Sequence, residues 1–231
     1  MRWPSGLRYL LGKQAYEKSY REFESLPHRT EYLVSDDPST AVVIKSIELP
    51  MAVHITYFVH GTTTDNEKEI SSGWSDVELS ELGIKQSIDL KEQTKDKRFD
   101  VVFCSDLQRA VKSAELAWGG MYPIIPDKRL RECNYGKLNA NPSAIVEPMQ
   151  EEECITNKFP EGESYEDVKA RVADFLEFLK KNYDEKNVAL VAHKAPQLSL
   201  DVLLLGKTWK QALAEDWRKT KSWKPGWEYI A

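Results

Sequence analysis

From residue 51 onward, short apolar runs alternate with longer amphipathic segments. Three of the runs are rich in Val, Ile or Phe and end at a small or polar residue, a composition typical of buried strands. They cover residues 53–59, 99–104 and 187–192. Strands that alternate with helices indicate a sheet that is covered on both faces. We therefore predict an α/β fold, a three-layer α/β/α sandwich with a mostly parallel central sheet.

The clearest helix is predicted to begin after Ser164 and to run to about Tyr183. Asp167 follows Ser164 by three positions, a spacing typical of a capping box. An apolar stripe at helical spacing follows, formed by Val168, Val172, Phe175, Leu176 and Leu179. Further helices are expected after Ser80, Asp106 and Pro196 and over residues 209–219.

The first fifty residues show no sustained helix or strand periodicity, apart from a short apolar patch at 40–44. Residues 3–8 and 22–25 resemble translated fragments of transfer-RNA genes, which suggests that translation begins at Met51. A disordered arm is the alternative. We expect residues 1–50 to be an extension of one of these two kinds and residues 51–231 to form one domain.

The composition is that of an ordinary globular domain, with 231 residues, 41% hydrophobic and 30% charged. A net charge of -5 gives no general attraction to nucleic acid or to an anionic membrane. No apolar run is long enough to cross a bilayer. Three cysteines, an odd number in no metal-binding spacing, favour a reducing compartment, so we expect a cytoplasmic protein without a metal site.

Polar residues follow each predicted strand. His60 follows the first strand and His193 follows the third, while Arg109 lies in the helix after the second. Ligands of open α/β sheets bind at the carboxyl ends of strands. Gly61 permits close backbone approach and is followed by hydroxyl and amide donors suited to phosphate. A histidine before glycine is, taken alone, more often a packed or capping residue.

The ordered set of motifs around these residues is more specific than any single motif. The motifs cover residues 58–66, 104–115, 130–136, 160–164 and 191–193. Together they resemble the histidine phosphatase superfamily, which includes cofactor-dependent phosphoglycerate mutases. The resemblance extends from about residue 52 to residue 206 and implies a phosphoglycerate mutase-like fold.

The resemblance also implies roles. His60 would attack phosphorus and become transiently phosphorylated, which requires a neutral imidazole. Arg109 would bind phosphate oxygens. Glu132 would act as general acid and then as base, and a protonated His193 would stabilise charge on the transferring group. Gly61, Thr63 and Asn66 are expected to contact the substrate, with turn formation as the ordinary explanation for Thr63 and Asn66.

Val59 departs from the family pattern, because the family normally places arginine directly before the nucleophilic histidine. Losing one charge-assisted phosphate contact costs about 1.5–3 kcal/mol, or roughly a tenfold to 150-fold loss of rate. Lys194, directly after His193, is a candidate substitute that would bind substrate, although lysine is a point charge and not a planar fork. The alternative is that Lys194 points to solvent.

The implied function is a phosphatase that acts on a small phosphorylated metabolite and needs no metal or other cofactor. About sixty residues separate Glu132 from His193, which is short beside the mutases with their larger insertion and favours a phosphatase. Residues 137–159 are expected to form part of a cap over the pocket. A mutase-like phosphotransferase and a phosphate-binding homologue without turnover are the alternatives, and the natural substrate and oligomeric state are not predicted.

Overall fold

The computed structural model describes residues 52–220 and 226–231. The strands are β1 His54–Val59, β2 Ile70–Ser71, β3 Val101–Cys104, β4 Ile124–Pro126, β5 Asn141–Pro142, β6 Asn187–Ala192 and β7 Trp227–Ile230. Five of them form a central sheet of order β4-β3-β6-β1-β7 in which only β7 is antiparallel to its neighbour. A separate two-stranded antiparallel sheet pairs β2 with β5.

Helices connect the strands, and three short 3-10 turns lie at Asn66–Lys68, Lys128–Leu130 and Gly136–Leu138. The α-helices are α1 Glu81–Gln93, α2 Gln108–Trp118, α3 Ser143–Glu151, α4 Tyr165–Asn182, α5 Lys194–Leu205, α6 Trp209–Ala214 and α7 Trp217–Thr220. The residues described include no helix long and apolar enough to span a bilayer.

Two apolar clusters, one on each face of the sheet, form the core. Side chains alternate along the strands, so Tyr57 and Phe103 pack with α4 and α5 while Phe58 and Val102 pack with α1 and α2. The three-layer α/β/α fold with a mostly parallel sheet is therefore confirmed.

The strongest local prediction, the helix after Ser164, is also confirmed. The Ser164 hydroxyl accepts a hydrogen bond from the Asp167 N–H at 3.1 Å, and the Asp167 carboxylate accepts one from the Ser164 N–H at 2.9 Å. This capping box starts α4, and all five residues of the predicted apolar stripe are buried.

Other predictions need correction. The helix expected over 209–219 is two helices separated by residues 215–216. Helix α5 starts at Lys194 and includes Pro196, because the first turn of a helix does not use its N–H groups. The antiparallel edge strand β7 was not predicted. The expected extension over residues 1–50 lies outside the described residues.

Candidate active site

His60 and His193 meet at the carboxyl end of the sheet. Strands β1 and β6 pair in parallel with Val59 opposite Ala192, so the next residue of each strand emerges at the same edge. The ring centroids of the two histidines are 5.0 Å apart. The spatial proximity expected from the two strand ends is therefore present.

The tautomer of His60 is fixed by its neighbour. Nδ1 of His60 lies 2.7 Å from the Gly61 carbonyl oxygen, which can only accept a hydrogen bond. Nδ1 therefore carries the proton, and Nε2 keeps its lone pair. Burial and the charge of Arg109 lower the pKa of His60 from 6.5 to about 3, so the imidazole is neutral at physiological pH.

His193 is held by its backbone and not by its ring. The Tyr57 hydroxyl donates to the His193 carbonyl at 2.6 Å and accepts from the His193 N–H at 2.9 Å. The ring is buried, and neither ring nitrogen has a hydrogen-bond partner among the described residues. Burial, together with the charge of Arg109, holds the pKa of His193 well below its usual value. Buried polar groups are almost always hydrogen-bonded, so a buried ring without a partner is typical of a functional site.

Arg109 contributes a buried guanidinium to the same region. It lies in the first turn of α2 and donates to the carbonyl oxygens of Gly73 at 2.7 Å and Ser75 at 3.1 Å. Two of its five N–H donors are thus used by backbone, and three remain. Burial lowers the pKa of Arg109, and its charge acts on both histidines.

The side chain of Glu132 is almost fully buried, and its carboxylate contacts the N-terminus of α5. Its Oε1 accepts from the N–H groups of Cys133 at 2.8 Å and Ala195 at 3.0 Å, and its Oε2 accepts from the Lys194 N–H at 3.1 Å. A carboxylate has about four lone-pair sites, of which these contacts use three. The remaining site, on Oε2, is available to hold or release a proton.

Arg171 holds the loop that carries Glu132. Its Nη1 donates to the carbonyls of Arg129 and Arg131 at 2.7 Å, its Nη2 donates to the Glu132 carbonyl at 2.9 Å, and its guanidinium also pairs with Glu163. These contacts fix the backbone of Glu132 and of the residues before it. No role at the site was predicted for Arg171 from the sequence.

The three substrate contacts predicted in the turn after His60 lie in different surroundings. Gly61 lines the cavity, but its N–H is donated to the Ser113 hydroxyl at 2.9 Å, and a Cβ there would lie 2.4 Å from the Gly83 carbonyl oxygen. Asn66 lines the cavity and its side chain accepts from the Thr63 N–H. Thr63 is fully buried, is not among the cavity-lining residues, and its hydroxyl accepts from the Asn66 N–H.

Lys194 points inward and not to solvent, since its side chain is only 11% exposed. Its Nζ lies 3.1 Å from the Gln150 Oε1 and 3.7 Å from the Asp216 carboxylate. The lysine lines the cavity while its charge is already partnered.

A cavity of about 660 Å³ is lined by His60, Arg109, Glu132 and Lys194, whereas the buried His193 is not among its lining residues. Part of its wall is the predicted cap, because α3 contributes Ser143, Glu147 and Gln150. Sequence reasoning missed Trp217 and Arg218, which line the cavity from α7, and Trp227, which lines it from β7. No local motif marks any of these three residues. Among the residues described, no group of three or more His, Cys, Asp or Glu could hold a metal ion.

Comparison with known proteins indicates the same family that the sequence motifs resemble. The sequence model of the histidine phosphatase superfamily, branch 1, matches residues 57–223. The chain is 34% identical over 134 residues to fructose-2,6-bisphosphatase TIGAR of Xenopus tropicalis, which covers 54% of this chain and 49% of that protein. It thus spans about half the length of that relative.

Two further similarities cover larger shares of the other protein. The chain is 32% identical over 146 residues to the 2,3-bisphosphoglycerate-dependent phosphoglycerate mutase of Cytophaga hutchinsonii, covering 58% of this chain and 68% of the mutase. A solved structure of a mycobacterial glucosyl-3-phosphoglycerate phosphatase with VO3 superposes with a TM-score of 0.61 at 27% identity, over 71% of this chain and 86% of that one.

Proposed function

Because the chain belongs to the histidine phosphatase superfamily, we propose that it hydrolyses a small phosphomonoester through a phosphohistidine intermediate on His60. The observation that carries the proposal is the arrangement of the two histidines at paired strand ends. A neutral His60 with a lone pair on Nε2 lies against the buried ring of His193, whose nitrogens have no partner in the described part of the chain. With His60 on the cavity wall and His193 beside it, the pair would supply a nucleophile and a phosphate ligand.

In the first step, the Nε2 lone pair of His60 attacks phosphorus as the P–O bond to the leaving alcohol breaks. The leaving oxygen takes a proton from Glu132, whose Oε2 has one lone-pair site free of backbone contacts. The products are phosphohistidine, a neutral alcohol and the Glu132 carboxylate. The reaction needs no metal because positioning and charge neutralisation supply most of the catalysis of phosphoryl transfer.

In the second step, water attacks the phosphohistidine. Glu132 accepts the proton from the water, the P–N bond breaks, and the electron pair returns to Nε2 of His60. Inorganic phosphate leaves with the enzyme in its starting state. The same carboxyl group acts as acid and then as base, which requires only that it stay within reach of both oxygens.

The phosphoryl group would be held by Arg109 and by a His193 that becomes protonated on binding. A phosphate dianion within about 4–6 Å of an imidazole favours the charged form of the ring, opposing the burial that lowers the pKa of His193. Asn66 and Lys194 line the cavity and are proposed to contact the substrate. For Gly61 and Thr63 the contacts favour an indirect role, in which Gly61 fixes the His60 tautomer and Thr63 holds the turn.

We further propose a soluble phosphorylated metabolite as the partner, in the cytoplasm, with no nucleic-acid or membrane partner. The net charge of -5 supports the absence of a nucleic-acid surface. Cys104, Cys133 and Cys154 are free and buried, which fits a reducing compartment.

The direct test measures inorganic phosphate released from p-nitrophenyl phosphate and from a panel of sugar and glycerate phosphates. Wild type, His60→Ala and Glu132→Gln are compared, each checked for folding by thermal unfolding. We expect release by wild type to disappear with His60→Ala. With Glu132→Gln, release should fall more for alkyl phosphates than for p-nitrophenyl phosphate, because p-nitrophenolate leaves without a proton.

The same proteins, assayed also with a phosphoglycerate in the presence and absence of a bisphosphate primer, separate the alternatives. Release of phosphate that requires His60 supports the phosphatase. Transfer between positions of a phosphoglycerate that needs a bisphosphate primer, with little phosphate released, would instead support the mutase. Equal background in wild type and His60→Ala, with phosphate binding retained, would support a binding protein without turnover.

A further inference from the structure

The proposed pocket lacks a guanidinium where the family places one. Val59 occupies that position and presents an apolar side chain to the cavity. Arg109 has already donated two of its N–H groups to backbone carbonyls. A phosphate dianion in front of His60 would therefore have three arginine donors and no second guanidinium from β1.

Arg218 brings a second guanidinium to the same cavity from a distant part of the chain. It lies in α7 and lines the cavity together with His60, Arg109 and Glu132. After burial and Arg109, its charge makes a smaller contribution to lowering the pKa of both His60 and His193, so the guanidinium lies within electrostatic range of both rings. Its side chain is 30% exposed, so it remains accessible to a ligand.

Asp216 fixes the direction of Arg218. The Oδ1 of this buried aspartate accepts from the Arg218 backbone N–H at 3.1 Å and from Nη1 at 2.8 Å. Among the described residues, no hydrogen bond engages Nε or Nη2 of Arg218. One edge of the guanidinium is thus anchored, and the remaining donors are available to an anion.

A stack of aromatic rings links Arg218 to the strand of the nucleophile. The guanidinium carbon lies 4.7 Å from the centre of the Trp217 ring, and Trp217 packs on Trp227 with centroids 5.9 Å apart. Trp227 belongs to β7 and pairs with Tyr57 of β1, three residues before His60. The position of the arginine is therefore tied to the backbone that positions the nucleophile.

We infer that Arg218 binds the transferring phosphoryl group in place of the arginine that Val59 replaces. The inference rests on the proposed function of the pocket and adds a phosphate-binding residue to it. Arginine suits this role because its planar fork can be anchored at one edge while it donates from the other. Lys194 is the weaker candidate, since its Nζ is directed to Gln150 and Asp216.

The test removes the guanidinium from the full-length chain. Arg218→Met keeps an apolar stem over Trp217, and Arg218→Ala removes the stem as well. We expect either variant to lower kcat/KM for phosphomonoester hydrolysis by about tenfold to 150-fold, the range for losing a charge-assisted contact. Lys219→Ala is the matched control, because Lys219 lies in the same helix but pairs with Glu151 at the surface. It should leave kcat/KM unchanged.

A second substitution tests whether an arginine at position 59 can replace Arg218 in binding the phosphoryl group. Val59→Arg in the Arg218→Met background should restore at least tenfold of the lost kcat/KM, whereas the same change in wild type should have a small effect. If Val59→Arg raises both backgrounds equally, or if Arg218→Met matches Lys219→Ala, the inference is wrong.

A binding measurement separates this inference from the proposed function. Titration calorimetry with inorganic phosphate and orthovanadate needs no turnover, so it remains informative even if no variant hydrolyses an ester. A tenfold or greater loss of affinity in Arg218→Met, absent in Lys219→Ala, supports the role of Arg218 in that case too. Unchanged affinity overturns it whether or not wild type is a phosphatase.

Discussion

The Tyr57 hydroxyl makes two short hydrogen bonds with the backbone of His193 in the core. Tyr57 is fully buried, and its hydroxyl bonds once with the His193 carbonyl and once with the His193 N–H. Replacing Tyr57 by Phe leaves the His193 N–H unpaired and leaves the carbonyl with only the longer bond from the Gln197 N–H at 3.4 Å. An unsatisfied buried group costs about 1–3 kcal/mol, so we expect a loss of about 2 kcal/mol. For a domain of this size that corresponds to a decrease in Tm of about 4–8 °C.

Activity should fall as well, because the His193 ring would no longer be fixed 5.0 Å from the His60 ring. A displacement of about 1 Å in a catalytic group costs up to about a hundredfold in rate, so we expect kcat to fall by roughly tenfold or more. Calorimetric unfolding and phosphate release, measured on the same preparation of Tyr57→Phe, check the two effects together.

Tyr165→Phe is the matched control. Tyr165 is equally buried, but its hydroxyl has no hydrogen-bond partner among the described residues. Removing this hydroxyl should leave stability unchanged or raise it. If Tyr57→Phe unfolds within about 2 °C of Tyr165→Phe and retains full kcat, the proposed support of His193 by Tyr57 is refuted.

Three further predictions follow from the site. The His60 ring should not titrate between about pH 5 and 8 in NMR spectra of the free protein, because its pKa is about 3. Because this pKa lies below the value of about 6.5 in the unfolded chain, the stability that His60 contributes is fully present above pH 6.5 and is lost as the pH falls towards 3. A His60 ring that titrates near pH 6.5 would contradict the lowered pKa. Gly83→Ala should destabilise the domain by about 1–3 kcal/mol in denaturant unfolding, because a Cβ there would lie 1.9 Å from the Thr62 carbonyl oxygen; wild-type stability would show that the helix moves away freely. Arg171→Lys should lower kcat by about tenfold with its fold retained, because lysine cannot hold the carbonyls beside Glu132 in a fork; an unchanged kcat would show that the loop holds itself.

The layers of the fold could be predicted from sequence because they depend on local patterns. The runs at 53–59, 99–104 and 187–192 became β1, β3 and β6, and their ends placed His60 and His193 at one edge of the sheet. Strand β7 was missed because it is a short edge strand whose pairing with β1 is not encoded in its own four residues.

The positions of single side chains were harder to predict. Thr63 and Thr62 are adjacent and chemically alike, but the turn directs Thr63 into the interior and Thr62 to the cavity wall. Arg218 was missed although its contacts with Asp216 and Trp217 are local, because these contacts do not show where α7 lies. The packing of Trp217 on Trp227 and the approach of α7 to the cavity are non-local, so no spacing in the sequence indicates them.

The atom of His60 that receives the phosphoryl group can be identified directly. Glu132→Gln mixed with p-nitrophenyl phosphate and quenched in alkali within milliseconds should accumulate phosphohistidine, since hydrolysis of the intermediate loses its base. Peptide mapping and ³¹P NMR should place the phosphoryl group on Nε2 of His60, because Nδ1 is engaged by the Gly61 carbonyl. A phosphoryl group on Nδ1 or on His193, or steady hydrolysis by wild type without any phosphohistidine in either protein, would contradict the account.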